Sequence, residues 1–256
     1  MAEHLTTSDS VTYGAAFADV YDDWYGESDD LAAVVDVLCE SRPRRVLELG
    51  VGTGRIALAV AERLAATRKF ATDATLMCGI DESPEMLAQL RAKDTQQRIS
   101  SHLGDMVRDQ PPGPFDVVFL SYNTLFNLVG AQLQFECIAS AATRMATPGR
   151  LVIDACIIDP NAPTSGTTSE RRGPWTLQTT STFDRTSGHV DGITLSTHDD
   201  GRVVRRPFRI GYQPPQAIDA TCERAGLRLV SRYSSWRKAP FSDSSSRHVS
   251  VYDNVR

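Results

Sequence analysis

Residues 44–64, RRVLELGVGTGRIALAVAERL, constrain this chain's fold more than any other stretch. A short apolar run carrying Glu48 meets glycines at positions 50, 52 and 54, and the residues after them repeat apolar side chains at helical spacing. Glycines at a strand-to-helix turn permit unusual backbone angles and let a ligand approach main-chain N–H groups. In a doubly wound sheet such a turn lies at the carboxyl end of a strand, where ligands bind.

The rest of the chain supplies that sheet. After Asp29–Glu40, which reads as a helix, strand signals at Val46–Leu49, Thr75–Asp81, Ile99–Asp105, Phe115–Asn123 and Gly149–Ile158 alternate with helical ones. Ser83 followed by Pro84 marks a helix start, as N-cap and first helical residue. Alternating strands and helices predict a parallel sheet with helices on both faces. After Pro160 the pattern changes. Pro160–Pro174 reads as a mobile linker, and Trp175–Ile210 as an antiparallel meander of about three strands inserted into the α/β frame, placed to cover a ligand cleft. A helix at PQAIDATCERAG and two closing strands complete the chain.

Bulk properties narrow the partners. With 27 Lys+Arg against 32 Asp+Glu, the net charge of −5 offers no electrostatic footprint for duplex nucleic acid. No apolar run approaches the roughly 18–20 residues of a membrane span, and the N-terminus lacks the basic and apolar regions of a signal peptide. The five cysteines are widely separated, without a CxxC or Cys/His pairing, so neither a zinc site nor a disulfide frame is expected. A cytoplasmic protein with no metal, acting away from membranes and nucleic acid, is the expectation.

The glycine turn alone leaves its ligand open. No Gly-Lys-Ser/Thr follows, which excludes a P-loop, but Gly52 to Ala57 passes as a dinucleotide fingerprint. Other residues separate the candidates. Glu48 stands where a dinucleotide site has an apolar residue, and suits a ligand bearing an ammonium or sulfonium group. Asp81 ends the second strand, where it can accept from a ribose diol. Gly104-Asp105-Met106 ends the third, where a carboxylate can take an adenine amino group while an apolar neighbour packs on the ring. The turn has no extra donors for a pyrophosphate.

LELGVGTGR, GIDESPEML, GDM and FDVVFLSYNTLFNL, in this order and spacing, resemble the successive motifs of class I S-adenosylmethionine-dependent methyltransferases. YGAAFADVYDDWY resembles the lid segment of small-molecule members, and the tail from Ala225 to Tyr252 their closing hairpin. The resemblance runs from about Tyr13 to Tyr252, interrupted by the linker and part of the meander. One glycine in ATPGRL, where the family often has two, is a departure in turn geometry only. The resemblance implies a Rossmann-like, seven-stranded, mostly parallel sheet with the meander inserted after the fifth strand. The implied units are an N-terminal helical lid (1–42), a cofactor-binding core (43–160), the linker and insertion (161–212), and a C-terminal helix with closing hairpin (213–256).

Position by position, the resemblance implies that Glu48 and the turn Gly50, Gly52, Thr53 and Gly54 hold the amino-acid part of S-adenosylmethionine. Asp81 would take the ribose hydroxyls beside Glu82 and Met86, Asp105 and Met106 the adenine, and Tyr13, Tyr21 and Ser121 the methionine end. S-adenosylhomocysteine would be the product. Methyl transfer requires alignment and exclusion of water more than a base, so Tyr122 and Asn123 are the expected positioning groups, with His248 a further catalytic candidate. His102 and His198 read as packing, and His4 as part of the tail. Arg202, Arg205, Arg206 and Arg209 could grip an anionic substrate or form a solvated strand face. Trp175, Trp236 and Phe241 could wall a pocket or fill a core, and Trp24 and Tyr25 read as packing. The expected reaction is methylation of N or O on a small molecule of secondary metabolism, by a protein that could be a homodimer. The alternatives are a peptide N-terminal methyltransferase, another alkyl transfer from the same cofactor, an NAD-dependent oxidoreductase and a non-catalytic cofactor-binding protein.

Overall fold

The computed structural model describes residues 13–26, 29–67 and 77–255. His4 lies outside them, as do Thr75 and Leu76 at the head of the second expected strand. Helices α1 (Tyr13–Phe17), α2 (Tyr21–Tyr25) and α3 (Leu31–Cys39) precede β1 (Val46–Leu49). The chain continues through α4 (Arg55–Thr67), β2 (Met77–Asp81), α5 (Pro84–Lys93), β3 (Ile99–Leu103), β4 (Phe115–Leu120), α6 (Ala131–Arg144) and β5 (Met145–Cys156). An inserted set follows, β6 (Ser165–Arg172), β7 (Trp175–Asp184), β8 (His189–His198) and β9 (Val203–Gly211). The closing elements are α7 (Pro215–Arg224), β10 (Leu227–Tyr233) and β11 (Arg247–Asn254).

Seven strands form one sheet in the order β10-β11-β5-β4-β1-β2-β3. β5, β4, β1, β2 and β3 pair in parallel, while β11 runs antiparallel to both β5 and β10. Strand residues are buried on both faces, as a covered parallel sheet demands. Leu47, Leu49, Val118 and Leu120 pack with α6 and α7 on one side, and Val46, Val117 and Phe119 with α3, α4 and α5 on the other. The chain runs outward from β1 through β2 to β3, then returns to place β4 on the other side of β1. That reversal opens a crevice at the carboxyl ends of β1 and β4, and the glycine turn sits there. Ser83 caps α5 as expected, its Oγ accepting from the Met86 N–H at 3.2 Å.

The inserted sheet differs from the sequence reading in one respect. It has four strands, β6-β7-β8-β9, because Ser165–Arg172, expected to be linker, pairs antiparallel with β7 from Ser165↔Thr182 to Arg172↔Trp175. Gly173, at φ +55°, lies in the tight turn between them. β6 is an edge strand exposed on both faces almost throughout, so no apolar alternation marks it. The expected fourth strand is also shorter. β4 stops at Leu120, and Ser121–Asn123 form a turn.

Candidate active site

The glycine turn is built around close approach. Gly50 (φ +72°) and Gly52 (φ +53°) both hold left-handed backbone. A Cβ on Gly50 would stand 2.4 Å from the Thr124 methyl, whereas one on Gly52 would meet nothing within 4 Å. Position 52 therefore needs glycine for conformation alone and leaves the space beside its Cα open. The Gly52 N–H donates to Asp81 Oδ2 at 2.8 Å, and the Ser83 N–H to Asp81 Oδ1 at 3.0 Å. Burial raises the Asp81 carboxyl above its usual value, opposed by these two bonds. Burial likewise raises Glu82, assisted by the neighbouring charges of Asp81 and Asp105.

Glu48 is 3 % exposed, and its Oε2 has no hydrogen-bond partner. Burial holds this carboxyl well above the usual range, with the Arg55 charge pulling the other way. The Ser121 side chain also bonds to it. A buried carboxylate oxygen without a donor is costly unless a ligand supplies one.

After β4, Tyr122 (φ +49°) and Asn123 (φ +69°) are consecutive non-glycine residues in left-handed backbone, a conformation that must be held from outside. Asp154 of β5 holds it. Its Oδ2 accepts the Tyr122 N–H at 2.9 Å, its carbonyl accepts the Asn123 N–H at 3.1 Å, and Asn123 Oδ1 accepts the Cys156 N–H at 2.6 Å. The fully buried Asp154 carboxylate is forked by Arg247 at 2.5 and 2.7 Å and takes the Trp236 indole N–H at 3.1 Å. The Tyr122 ring carries the Arg55 and Arg247 guanidinium carbons at 4.4 and 4.9 Å.

The glycine turn, Asp81 and the Tyr122–Asn123 turn line one side of a cleft of about 600 Å³, a size typical of cofactor and small-molecule sites. Gly50, Gly52, Asp81, Glu82, Met86, Asp105, Met106, Tyr122 and Asn123 face it from the core. Phe17, Tyr21, Trp24 and Tyr25 face it from α1 and α2, and Glu170, Leu177, Thr179, Thr194 and Phe208 from the inserted sheet. Burial pushes the Tyr21 phenol up to about 12, so it stays neutral as a hydroxyl donor.

Not every expected residue is there. Thr53, Gly54, Ser121 and Glu48 do not line the cleft. Thr53 Oγ1 instead donates to Asp22 of α2 at 2.6 Å. Tyr13 opens α1, but its side chain lies outside the described residues. His248 does not reach the cleft either. It is fully buried in β11, its Nδ1 2.8 Å from Ser250 Oγ and its Nε2 unpartnered. Burial lowers its imidazole to about 4, so it is neutral near pH 7. Trp236 belongs to the core, while Trp175 packs edge-on against Trp24 at 6.1 Å. The arginine stretch has partners inside the protein. Arg209 forks Asp191, Arg206 forks Asp19, and Arg202 lies 5.0 Å from the Trp175 ring.

Sequence reasoning took Trp24 and Tyr25 for packing and did not single out Phe17, Thr179, Thr194 or Phe208. The available signal was strand alternation. Leu177 and Thr179 share one face of β7, directly opposite Ser196 and Thr194 of β8. Gly192, in the middle of β8, marks a close approach. A Cβ there would stand 2.2 Å from the Phe208 ring, so the missing side chain is what lets that ring lie on the strand.

The sheet order, the glycine turn at its switch point and the acids ending β2 and β3 are those of the class I S-adenosylmethionine-dependent methyltransferase fold. Residues 46–149 match the family described as methyltransferase domain. Among solved structures the chain is similar to the CcbJ methyltransferase from Streptomyces caelestis, at 28% identity and a TM-score of 0.85 over 97% of this chain and 100% of that one. CalS10, an amino pentose methyltransferase from Micromonospora echinaspora solved with S-adenosylmethionine bound, is 20% identical, with a TM-score of 0.67 over 99% of this chain and 100% of that one. The sugar N-methyltransferase KedS8 from Streptoalloteichus is 18% identical, with a TM-score of 0.68 over 98% of each chain. The last two likenesses are of fold. No curated protein matches the chain. The residues present fit the cofactor, because the unpartnered Glu48 Oε2 lacks the donor that an ammonium group would supply and the space beside Gly52 is open.

Proposed function

We propose that this chain methylates a nitrogen or oxygen atom of a small, hydroxylated molecule of natural-product metabolism. The observation that carries the reading is the second wall of the cleft. An inserted sheet faces the cofactor-binding core with a hydroxyl pair, Thr179 and Thr194 at 2.9 Å, set beside Leu177 and Phe208. Hydroxyls next to an apolar and aromatic surface suit a ring that carries its own hydroxyls or an amine. The amino pentose and sugar acceptors named for CalS10 and KedS8 support the same chemistry.

S-adenosylmethionine, when bound, supplies a methyl carbon already activated by its sulfonium. On this reading Gly50 and Gly52, with Tyr13 and Tyr21, would hold the amino-acid end, and Glu48, Thr53, Gly54 and Ser121, buried outside the cleft lining, would support them. Asp81, Glu82 and Met86 hold the ribose, and Asp105 and Met106 the adenine. Tyr122 and Asn123, preset in their turn, would position the acceptor's nucleophilic atom for the transfer. Tyr21, Trp24 and Tyr25 on one side and the inserted sheet on the other exclude water. The units 1–42, 43–160, 161–212 and 213–256 then serve as lid, cofactor core, acceptor cover and core closure.

The test is mass spectrometry after incubation with methyl-labelled S-adenosylmethionine and three acceptor sets: amino-sugar glycosides, phenols and short peptides. Label on the glycosides is expected, whereas label confined to peptides would overturn the proposal. As a control, Asp81→Ala should weaken S-adenosylhomocysteine binding by about tenfold or more, with NAD bound by neither protein.

A further inference from the structure

The residues between Ala16 and Tyr25 are held from two sides. On the core side, Asp22 takes the Thr53 hydroxyl at 2.6 Å and Lys93 Nζ at 2.7 Å, while Gln89 Nε2 donates to the Ala18 carbonyl at 2.6 Å. Thr53 belongs to the glycine turn, so α2 is bonded directly to the loop that receives the amino-acid end of the cofactor. On the other side, the inserted sheet reaches across with two arginines. Arg206 forks Asp19 at 2.7 and 2.8 Å and donates to the Ala16 carbonyl. Arg172 donates to the Trp24 carbonyl at 2.7 Å.

Arg206 is the unusual member. Its side chain is 4 % exposed, whereas that of Asp19 is 58 % exposed. Its Nε donates to Ser196 Oγ at 3.2 Å, and its guanidinium carbon lies 5.8 and 5.4 Å from the Phe17 and Trp24 rings. A guanidinium withdrawn from water needs nearly all its N–H groups satisfied, and α1 with its following turn supplies most of the acceptors. The sheet cannot bury Arg206 comfortably unless the N-terminal segment is in place. The reverse dependence also holds, because α1 and α2 have five residues each and form no independent core.

We propose that Arg206 is a positioning residue for cofactor binding. From the acceptor side of the cleft it clamps the Ala16–Tyr25 segment in the position where Tyr21 faces the pocket and Asp22 engages the glycine turn. The inserted sheet and the N-terminal helices thereby close over the cofactor as one body. This rests on the reading of residues 13–26 as a lid.

The replacement Arg206→Met tests it, because an unbranched apolar side chain of similar length can stay between the sheet and the two rings. The change leaves Asp19 in water and the Ser196 hydroxyl still bonded to the Val204 carbonyl at 3.1 Å, so no buried charge is stranded. The measurements are S-adenosylhomocysteine affinity by calorimetry, thermal midpoint, and amide exchange over residues 13–26. The expected result is an affinity loss of about tenfold and faster exchange in that segment, with β1 and β4 protected as before. Arg206→Lys, which keeps the charge without the fork, should recover part of the affinity. Asp19→Asn, a change at an exposed side chain, should weaken binding in the same direction and add less than its own effect to Arg206→Met. A merely structural role would lower the thermal midpoint and leave the affinity of the folded protein unchanged, and that result would overturn the proposal. Failure of the wild-type protein to bind S-adenosylhomocysteine would instead overturn the reading of the cofactor site.

Discussion

Glu48 is the single residue at which the proposed cofactor site is most directly testable. Its carboxyl is buried, has one unpartnered oxygen and is held well above the usual range by burial, with the Arg55 charge in partial opposition. Without ligand, the protonated form therefore persists to higher pH than for an ordinary glutamate. An ammonium group favours the carboxylate, so binding at a pH below the raised value should expel a proton, and affinity should rise as the pH passes through it. Calorimetry of S-adenosylhomocysteine in two buffers of different ionisation enthalpy reads this directly. Glu48→Gln should abolish the proton release and cost roughly tenfold in affinity. Equal heats in both buffers would show that Glu48 does not meet the ligand's amine. The residue type and position were legible in the sequence, since an acid two places before the first glycine is out of keeping with a dinucleotide turn. Its burial and its missing partner were not.

Among the elements, the inserted sheet shows both what strand patterns reveal and what they hide. β7 and β8 alternate visibly, because one face of each is covered. β6 carries no such pattern, since an exposed edge strand has no buried face to impose it, and pairing with β7 alone makes it a strand. Gly192 belongs at this scale too. Alanine there would drive the Phe208 ring off β8 and toward the cleft it lines, with an overpacking cost of about 1–3 kcal/mol. With the acceptor found by the labelling screen, Gly192→Ala should raise KM for that acceptor severalfold while leaving S-adenosylhomocysteine affinity within about twofold. The additional change Phe208→Ala should restore KM. An unaltered KM in the single variant would remove Phe208 from the acceptor wall. The turn after β4 is the other case of structure beyond pattern. Ser121–Asn123 continue an apolar run and read as strand, but Asp154 of β5 draws the Tyr122 N–H to its carboxylate and the Asn123 N–H to its main-chain carbonyl, which holds both residues in left-handed backbone.

For the molecule as a whole, two buried groups give stability an opposed pH dependence. His248 binds its proton only near pH 4 in the folded protein but at its ordinary value when unfolded. Between about 6.5 and 4 the unfolded chain takes up the extra proton, so stability falls as the pH falls through that window, by on the order of 3 kcal/mol. Glu48 acts in the other sense. Its raised value makes the folded state the better proton binder above the ordinary glutamate range, so its contribution is lost as the pH rises. Denaturant unfolding at several pH values should therefore show a shallower acid limb for His248→Leu than for the wild type. Identical slopes would show that His248 is not held neutral in the fold.

What the sequence determined by itself was local and periodic. It marked a strand, a glycine turn and a helix at 46–64, a Ser83-Pro84 helix start, acids closing successive strands and the alternation of a doubly wound sheet, while the resemblance of its motifs supplied the expectation of a class I methyltransferase fold. These are legible because backbone conformation and one-face burial leave their period in the residues that obey them. Only the tertiary structure decided which distant side chains meet. It set Arg206 on Asp19, Thr53 on Asp22 and Asp154 on the Tyr122 turn, and it placed His248 inside the sheet instead of in the cleft. Such pairings are satisfied by one hydrogen bond or ion pair each, across 187, 31 and 32 residues of chain, and a single contact at that separation imposes no repeat that a sequence could display.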